Sequence, residues 1–328
     1  MKVTCSGCGK SYSVDDAKIP ADKTLSIPCP GCKSPISVTK ATDLSTPELP
    51  VHGEALLKKI VKESKALPPM PEVMARAMAV MNDENCGFNE IGAVIETDQA
   101  LATRVLKIAN SAYYALKVPV STVMQAAAIM GVQSISDLIT VVSTSKMLGK
   151  SLPGYRLSSR QIWEHSLACA YASRLIAEMK APTLANDAFN AGLIHDSGLL
   201  MLDPFINMLK QAFDEAMATP GSAFCYAEKE LFGFTHAEVA GLFFEKWKLP
   251  KVQTDAIALH HTPDQGESPL AHIIHAGDAV AMRCIDKESS QGIIGKGTLT
   301  TLALTEDELD EVGTKAAEAV ASVTQSLA

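Results

Sequence analysis

The chain has 328 residues, 47% hydrophobic and 20% charged, a composition that excludes a disordered or fibrous protein and leaves room for one large core plus a small appendage. A formal net charge of −8 excludes a protein that grips nucleic acid over its whole surface, because phosphate binding needs clustered Lys and Arg. No apolar run is long enough to span a bilayer, since even residues 191–202 are interrupted by His195 and Asp196, and no apolar signal segment follows the first residues. A cytoplasmic, reducing location is therefore expected, with no membrane partner.

Of the eight cysteines, four cluster as Cys5-Ser-Gly-Cys8 and Cys29-Pro-Gly-Cys32. Two Cys-x-x-Cys knuckles about twenty residues apart have the spacing of a four-thiolate zinc site. Between them Tyr12, Val14, Ile19 and Leu25 are too few to make a core, so zinc supplies the folding free energy of a small β ribbon over residues 1–38. The segment resembles the zinc ribbons that open many bacterial regulatory proteins. With every coordination position filled by protein, such a zinc is structural, and the resemblance implies a module that mediates contacts. Nucleic-acid binding has thin support: residues 1–45 carry six Lys against four Asp, and Tyr12 is their one aromatic residue. The scattered Cys86, Cys169, Cys225 and Cys284 are expected to pack as small hydrophobes.

Residues 39–53 hold two prolines and no apolar periodicity, as in a linker. Helix signals dominate from Glu54 onward. Pro71 starts a helix whose face carries Val73, Ala77, Val80 and Met81. Asp98 caps the helix of Leu101, Val105, Leu106 and Ala109, and Ser121 and Ser134 are expected to open the next two. Ser158-x-x-Gln161, Thr235-x-x-Glu238 and Thr305-x-x-Glu308 have capping-box spacing, and Asp203-Pro204, Pro250 and Ser268-Pro269 mark further starts. A helical domain thus runs over residues 54–287. From residue 288 a Gly-rich stretch leads to a terminal amphipathic helix with Leu309, Val312, Ala316 and Val320 on one face, able to pack on the body or on a second subunit. A homo-oligomer stays open.

Five of the eight histidines, His165, His195, His236, His260 and His261, sit in or at the ends of these helices beside apolar residues, with Asp196 and Asp278 in similar settings. Imidazole and carboxylate are the ligands that hold Zn, Fe, Mn or Ni while leaving exchangeable positions. A lone histidine in such a setting is usually a hydrogen-bonded core residue, but a His195-Asp196 doublet with a His260-His261 doublet is harder to dismiss. A metal centre and a satisfied polar network buried between helices both remain open. His52, His272 and His275 are taken as structural or exposed, with His275, three residues before Asp278, a supporting partner of the ligands.

Leu67-Pro68-Pro69-Met70-Pro71, Ile95-Glu96-Thr97-Asp98-Gln99-Ala100-Leu101, Leu106-Lys107-Ile108-Ala109-Asn110-Ser111-Ala112-Tyr113-Tyr114 and Ala126-Ala127-Ala128-Ile129-Met130-Gly131-Val132 resemble the opening signatures of the HDOD family. Trp163-Glu164-His165, Leu193-Ile194-His195-Asp196 and Trp247-Lys248-Leu249-Pro250 continue the likeness in the same order, over about residues 55–285. The resemblance implies an all-helical HD-type bundle and a role in bacterial signal transduction. It also implies that His165, His195, Asp196 and Asp278 hold one metal, while His236, His260 and His261 hold a second with Asp196 bridging. Glu164 and Glu230 would then support the ligands, and His195 and Asp196 would be catalytic if the site turns over.

Two departures lean away from an enzyme. HD phosphodiesterases carry His-Asp-x-x-Lys-like runs, whereas here Leu199 stands in the lysine position. The Gly-Tyr-Pro motif of the cyclic-dinucleotide branch is replaced by Thr262-Pro263-Asp264. The leading expectation is a protein-interaction module that relays a signal to a protein partner. The rival is a metal-dependent phosphohydrolase acting on a nucleotide or cyclic dinucleotide.

Overall fold

The computed structural model describes residues 2–4, 10–13, 24–33, 35–39, 52–63, 88–95, 97–218, 223–285 and 293–327. Cys5, Cys8, Cys86, most of the expected 39–53 linker, the Leu67–Pro71 run and the helix expected after it lie outside these residues. The chain divides into two compact units, Met1–Leu49 and Pro50–Ala328.

In the first unit β1 (Lys2–Thr4) pairs antiparallel with β2 (Ser11–Ser13), and β3 (Thr24–Pro28) with β4 (Pro35–Thr39). In the register of the second hairpin Ile27 is paired with Ile36. Its turn carries the Cys29-Pro-Gly-Cys32 knuckle. There the Lys33 N–H donates to the Cys29 carbonyl at 2.9 Å, and the Gly31 N–H points at the Cys29 sulfur at 3.3 Å. N–H groups aimed at a sulfur stabilise it as a thiolate, the form that ligates metal.

Among its described residues the second unit is built of helices joined by turns and loops, with no strand beyond an isolated bridge between Leu152 and Leu157. Its helices run α1 (Glu54–Glu63), α2 (Phe88–Ile95), α3 (Gln99–Ala109), α4 (Val123–Met130), α5 (Val132–Leu148), α6 (Ser159–Lys180) and α7 (Ala185–Ile194). There follow α8 (Ser197–Met208), α9 (Lys210–Met217), α10 (Phe224–Phe232), α11 (His236–Lys246), α12 (Lys251–Leu259), α13 (Pro269–Ile285), α14 (Lys296–Leu302) and α15 (Glu306–Leu327). Among the described residues, no helix is long and apolar enough to cross a membrane.

Local chemistry sets most of the boundaries. Asp98 accepts the N–H groups of Ala100 and Leu101 at the start of α3, and Ser158–Gln161 and Thr235–Glu238 form reciprocal capping boxes on α6 and α11. Two expected starts shift. Thr122 caps α4 in place of Ser121, and Gly131 precedes α5 while the Ser134 hydroxyl turns back to the Met130 carbonyl at 2.9 Å. Asp203-Pro204 opens no helix: it lies inside α8, and Asp203 accepts the Gly154 N–H at 2.8 Å from a distant loop. A tertiary bond has taken the carboxylate that would have capped a local helix.

At the centre lies α6, buried continuously from His165 through Ser173 and packed by α7, α13 and α15. Its small residues Ala168, Ala170, Ala172 and Ser173 let these neighbours approach. A Cβ on Gly277 of α13 would fall 2.1 Å from the Ser173 hydroxyl and 3.0 Å from the Ser173 backbone nitrogen, so glycine favours that close crossing. The terminal helix α15 buries Leu309, Val312, Ala316, Ala319 and Val323 and packs on α6 and α13, which places it on the body of the unit. His52, inside the expected linker, is tied to this unit through a 2.7 Å contact with the Leu231 carbonyl.

Candidate metal centre

Seven side chains drawn from between residues 165 and 278 converge at the middle of the bundle. His165 comes from the second turn of α6, His195 and Asp196 from the break between α7 and α8, and His236 from the first residue of α11. His260 and His261 follow the end of α12, and Asp278 lies midway along α13. Gly198 makes the arrangement sterically feasible. A Cβ there would lie 2.0 Å from the His236 carbonyl oxygen, so the first turn of α8 reaches α11 only because the residue is glycine.

The side chains fall into two groups: Asp196, His236, His260 and His261 in one, and His165, His195 and Asp278 in the other. Within each, one ligand atom per residue lies within 4.8 Å of the rest. Asp196 stands between them. Its Oδ1 is 3.1 Å from His236 Nε2 and 3.7 Å from His260 Nε2, while its Oδ2 is 3.4 Å from His165 Nε2. His165 Nε2 also lies 3.1 Å from Asp278 Oδ1, and His261 Nε2 lies 3.0 Å from His236 Nε2.

Backbone contacts fix the ring tautomers. His195 Nδ1 donates to the Gly192 carbonyl at 2.8 Å, and His260 Nδ1 donates to the Ile257 carbonyl at 2.7 Å. A carbonyl only accepts, so both Nδ1 atoms carry hydrogen and both Nε2 atoms face the cluster. These Nε2 atoms are buried without a hydrogen-bond partner. Burial, then His261 and His195, hold His260 well below the usual imidazole range. A neutral Nε2 lone pair consequently faces the Asp196 carboxylate with no proton to share, an arrangement that suits a cation. This donor set fits one or two divalent transition metals.

Burial works against protonating His165, but Asp196 and Asp278 outweigh it and raise the group to about 10. The same contest raises His195, chiefly through Asp196, and His236, chiefly through Glu228. Burial pushes Asp196 and Asp278 up, and the surrounding histidines more than reverse this, leaving both well below the carboxylate range.

The supporting residues differ from expectation. Glu230 is exposed, and the carboxylate that serves His236 belongs to Glu228. Fully buried, Glu228 lies 2.8 Å from His236 Nδ1, accepts the His236 N–H at 2.7 Å and accepts the Tyr155 hydroxyl at 2.7 Å. Glu230 lies two residues on, about 200° round the helix, and faces outward. Glu164 turns from the cluster to pair with Arg160 at 2.9 Å. His275 touches the ligands only through the backbone, donating from Nδ1 to the His260 carbonyl at 2.8 Å. His272 is buried against Thr298 at 2.9 Å.

Cys225, expected to be packing, lies with its sulfur 4.0 Å from His236 Nδ1 and lines the cleft over the cluster. Burial raises its thiol, and His261 and His236 overcome that to lower it. Cys284, also expected inside, is exposed. Cys169 is buried as expected.

An all-helical HD-type bundle with paired histidine–aspartate groups defines the broad class. Within it, the HDOD domain matches residues 67–263, and the chain belongs to the HDOD family. A zinc-ribbon domain matches residues 1–36. Among solved structures, a Shewanella amazonensis SB2B protein provisionally named a phosphohydrolase is 23% identical, with a TM-score of 0.63 over 84% of this chain and 99% of its own. An HDOD domain protein of unknown function from Geobacter sulfurreducens is also 23% identical, with a TM-score of 0.60 over 83% of this chain and 94% of its own. At that identity the likeness is one of fold. An uncharacterized protein of Treponema pallidum (strain Nichols) is 20% identical over 258 residues, 77% of this chain, which spans 49% of that relative.

Proposed function

We propose that the chain is a cytoplasmic regulatory protein of bacterial signal transduction. In this reading the helical unit binds divalent metal at the histidine–aspartate cluster and passes a signal to a protein partner without efficient phosphoester hydrolysis. The ribbon, holding zinc through Cys5, Cys8, Cys29 and Cys32, serves as a second contact surface.

The observation that carries this reading is the wall of the cleft. Leu199, in the lysine position after the doublet, is buried against the cluster, and among the described residues no Lys or Arg lines the cleft. Phosphoryl transfer spreads negative charge over the transferred oxygens, and losing one preorganised donor to such charge typically slows turnover about 10²–10³-fold. Metal held by the cluster would supply Lewis acidity and a lowered pKa for bound water. Among the cleft residues, however, this chain offers no Lys or Arg to grip a phosphate.

Metal-dependent hydrolysis of a nucleotide or cyclic dinucleotide is the second reading, favoured by the two ligand groups that share Asp196. The assay that separates them uses full-length protein reconstituted with Mn, Fe or Zn and a panel of such phosphodiesters. No turnover above buffer is expected. Turnover that disappears in Asp196→Ala would establish the second reading. Affinity capture recovering no protein partner under any growth condition would count against the first.

A further inference from the structure

The cleft over the cluster encloses about 230 Å³ and offers two kinds of contact. Its floor is the histidine–aspartate cluster. Its walls include Leu157, Ile162, Leu199, Phe224 and Met282. Three other polar side chains line the cleft: Cys225 lies beside the cluster, and Gln161 and His275 are partly engaged elsewhere. The Gln161 side-chain oxygen accepts the Ser158 N–H at 3.0 Å and the Ser158 hydroxyl at 2.7 Å. His275 donates from Nδ1 to the His260 carbonyl, and its Nε2 accepts the Gly295 N–H at 3.2 Å.

A molecule in this cleft therefore meets polar partners at one end. Any polar atom laid against the apolar side chains of the walls is stripped of water with no hydrogen bond in return. The sugar hydroxyls and base edges of a nucleotide suffer that loss. A phosphate ester carries further oxygens and a second negative charge, and among the described residues no Lys or Arg on the cleft wall takes them. A carboxylate has two oxygens and a single charge to place at the floor.

Building on the metal-binding module proposed above, we propose that the cleft takes a small monocarboxylic acid with a hydrocarbon body. The carboxylate lies at the metal-binding floor, and the hydrocarbon lies against Leu157, Ile162, Leu199, Phe224 and Met282. The helical unit is then a receptor for an amphipathic acid, and its ligand is the signal it relays.

The test is calorimetric titration of zinc- or manganese-loaded full-length protein with straight-chain acids from acetate to decanoate, with metal content measured on each preparation. Affinity is expected to rise about fourfold per methylene until the cleft is full, the factor set by burying one methylene group. Octanol and octyl phosphate are expected to bind at least tenfold more weakly than octanoate. Phe224→Ser and Met282→Ser, both at half-buried positions, are expected to flatten the chain-length dependence, and metal content reports whether each variant folds.

Equal affinity for acetate and octanoate overturns the proposal, as does no binding by fully loaded protein. Both results leave the proposed regulatory function standing. Tighter binding of a nucleotide, with turnover, overturns the proposal and the non-catalytic reading together. A helical unit that takes up no metal defeats the proposal along with the metal-binding half of the proposed function, and elemental analysis alone reports that outcome.

Discussion

Glu228 decides which nitrogen of His236 faces the cluster. Its carboxylate holds the Nδ1 side at 2.8 Å and leaves Nε2 directed at Asp196. Glu228→Gln keeps the shape but removes the charge. Metal affinity is expected to fall about 10–100-fold, read by competition with a chromogenic chelator, while Glu230→Gln has no effect. Protons and metal compete for the same nitrogens. His165 is raised from 6.5 to about 10, so its proton stabilises the metal-free bundle fully below pH 6.5, a contribution lost as pH climbs towards 10. Loading metal expels such protons. From pH 7 to 9.5 the melting temperature of metal-free protein is expected to fall while metal affinity rises. Thermal melts and calorimetry in two buffers of different ionisation heat check both trends. The histidines and aspartates of the cluster stood out in the sequence because histidine is scarce and the two doublets stand beside apolar residues. Glu228 left a fainter mark, a carboxylate on one helical face between Phe224 and Phe232, four residues from each. Cys225 left none, because its meaning depends on which histidines fold over it.

The ends of α7, α11 and α12 aim side chains inward, and where helices cross closely a single Cβ decides whether the ends meet. Gly198→Ala puts a methyl carbon 2.0 Å from the His236 carbonyl, a backbone atom that cannot rotate away. The first turn of α8 must then retreat from α11, taking Asp196 away from His236. The variant is expected to lose about 1–3 kcal/mol or more in urea unfolding, the usual cost of overpacking, and to bind less metal than wild type. Normal stability with normal metal content would mean the helices separate without cost. Caps were readable at this scale because they are local: Thr235–Glu238 and Ser158–Gln161 each act within one turn. Asp203-Pro204 misled because its carboxylate is claimed by Gly154, a partner 49 residues away that no window of sequence contains.

The two compact units rest on different physics, and removing metal should separate them. The bundle has an extensive apolar core, with Phe189, Phe232, Phe234, Phe244 and Leu167 fully buried, and α15 closes it through Leu309, Val312 and Val323. Each such side chain contributes roughly 1.5–3 kcal/mol when buried, so the helical unit keeps its fold when the cluster holds no metal. The ribbon has strands of only three to five residues, so in the proposed reading zinc carries its stability. What the sequence could not convey is how seven histidine and aspartate side chains from separate segments come within reach of one another, since spacing along the chain does not encode which helices pack. That meeting makes two metal populations expected, one structural in the ribbon and one exchangeable in the bundle. Elemental analysis of full-length protein should give two or three equivalents per chain, falling to one in the double variant His195→Ala with Asp196→Ala. Chelator treatment should erase the ribbon's hydrogen-exchange protection and leave that of α6 and α13 largely intact. Simultaneous loss of protection in both would mean that the bundle also depends on metal to fold, and the extent of its apolar core argues against that.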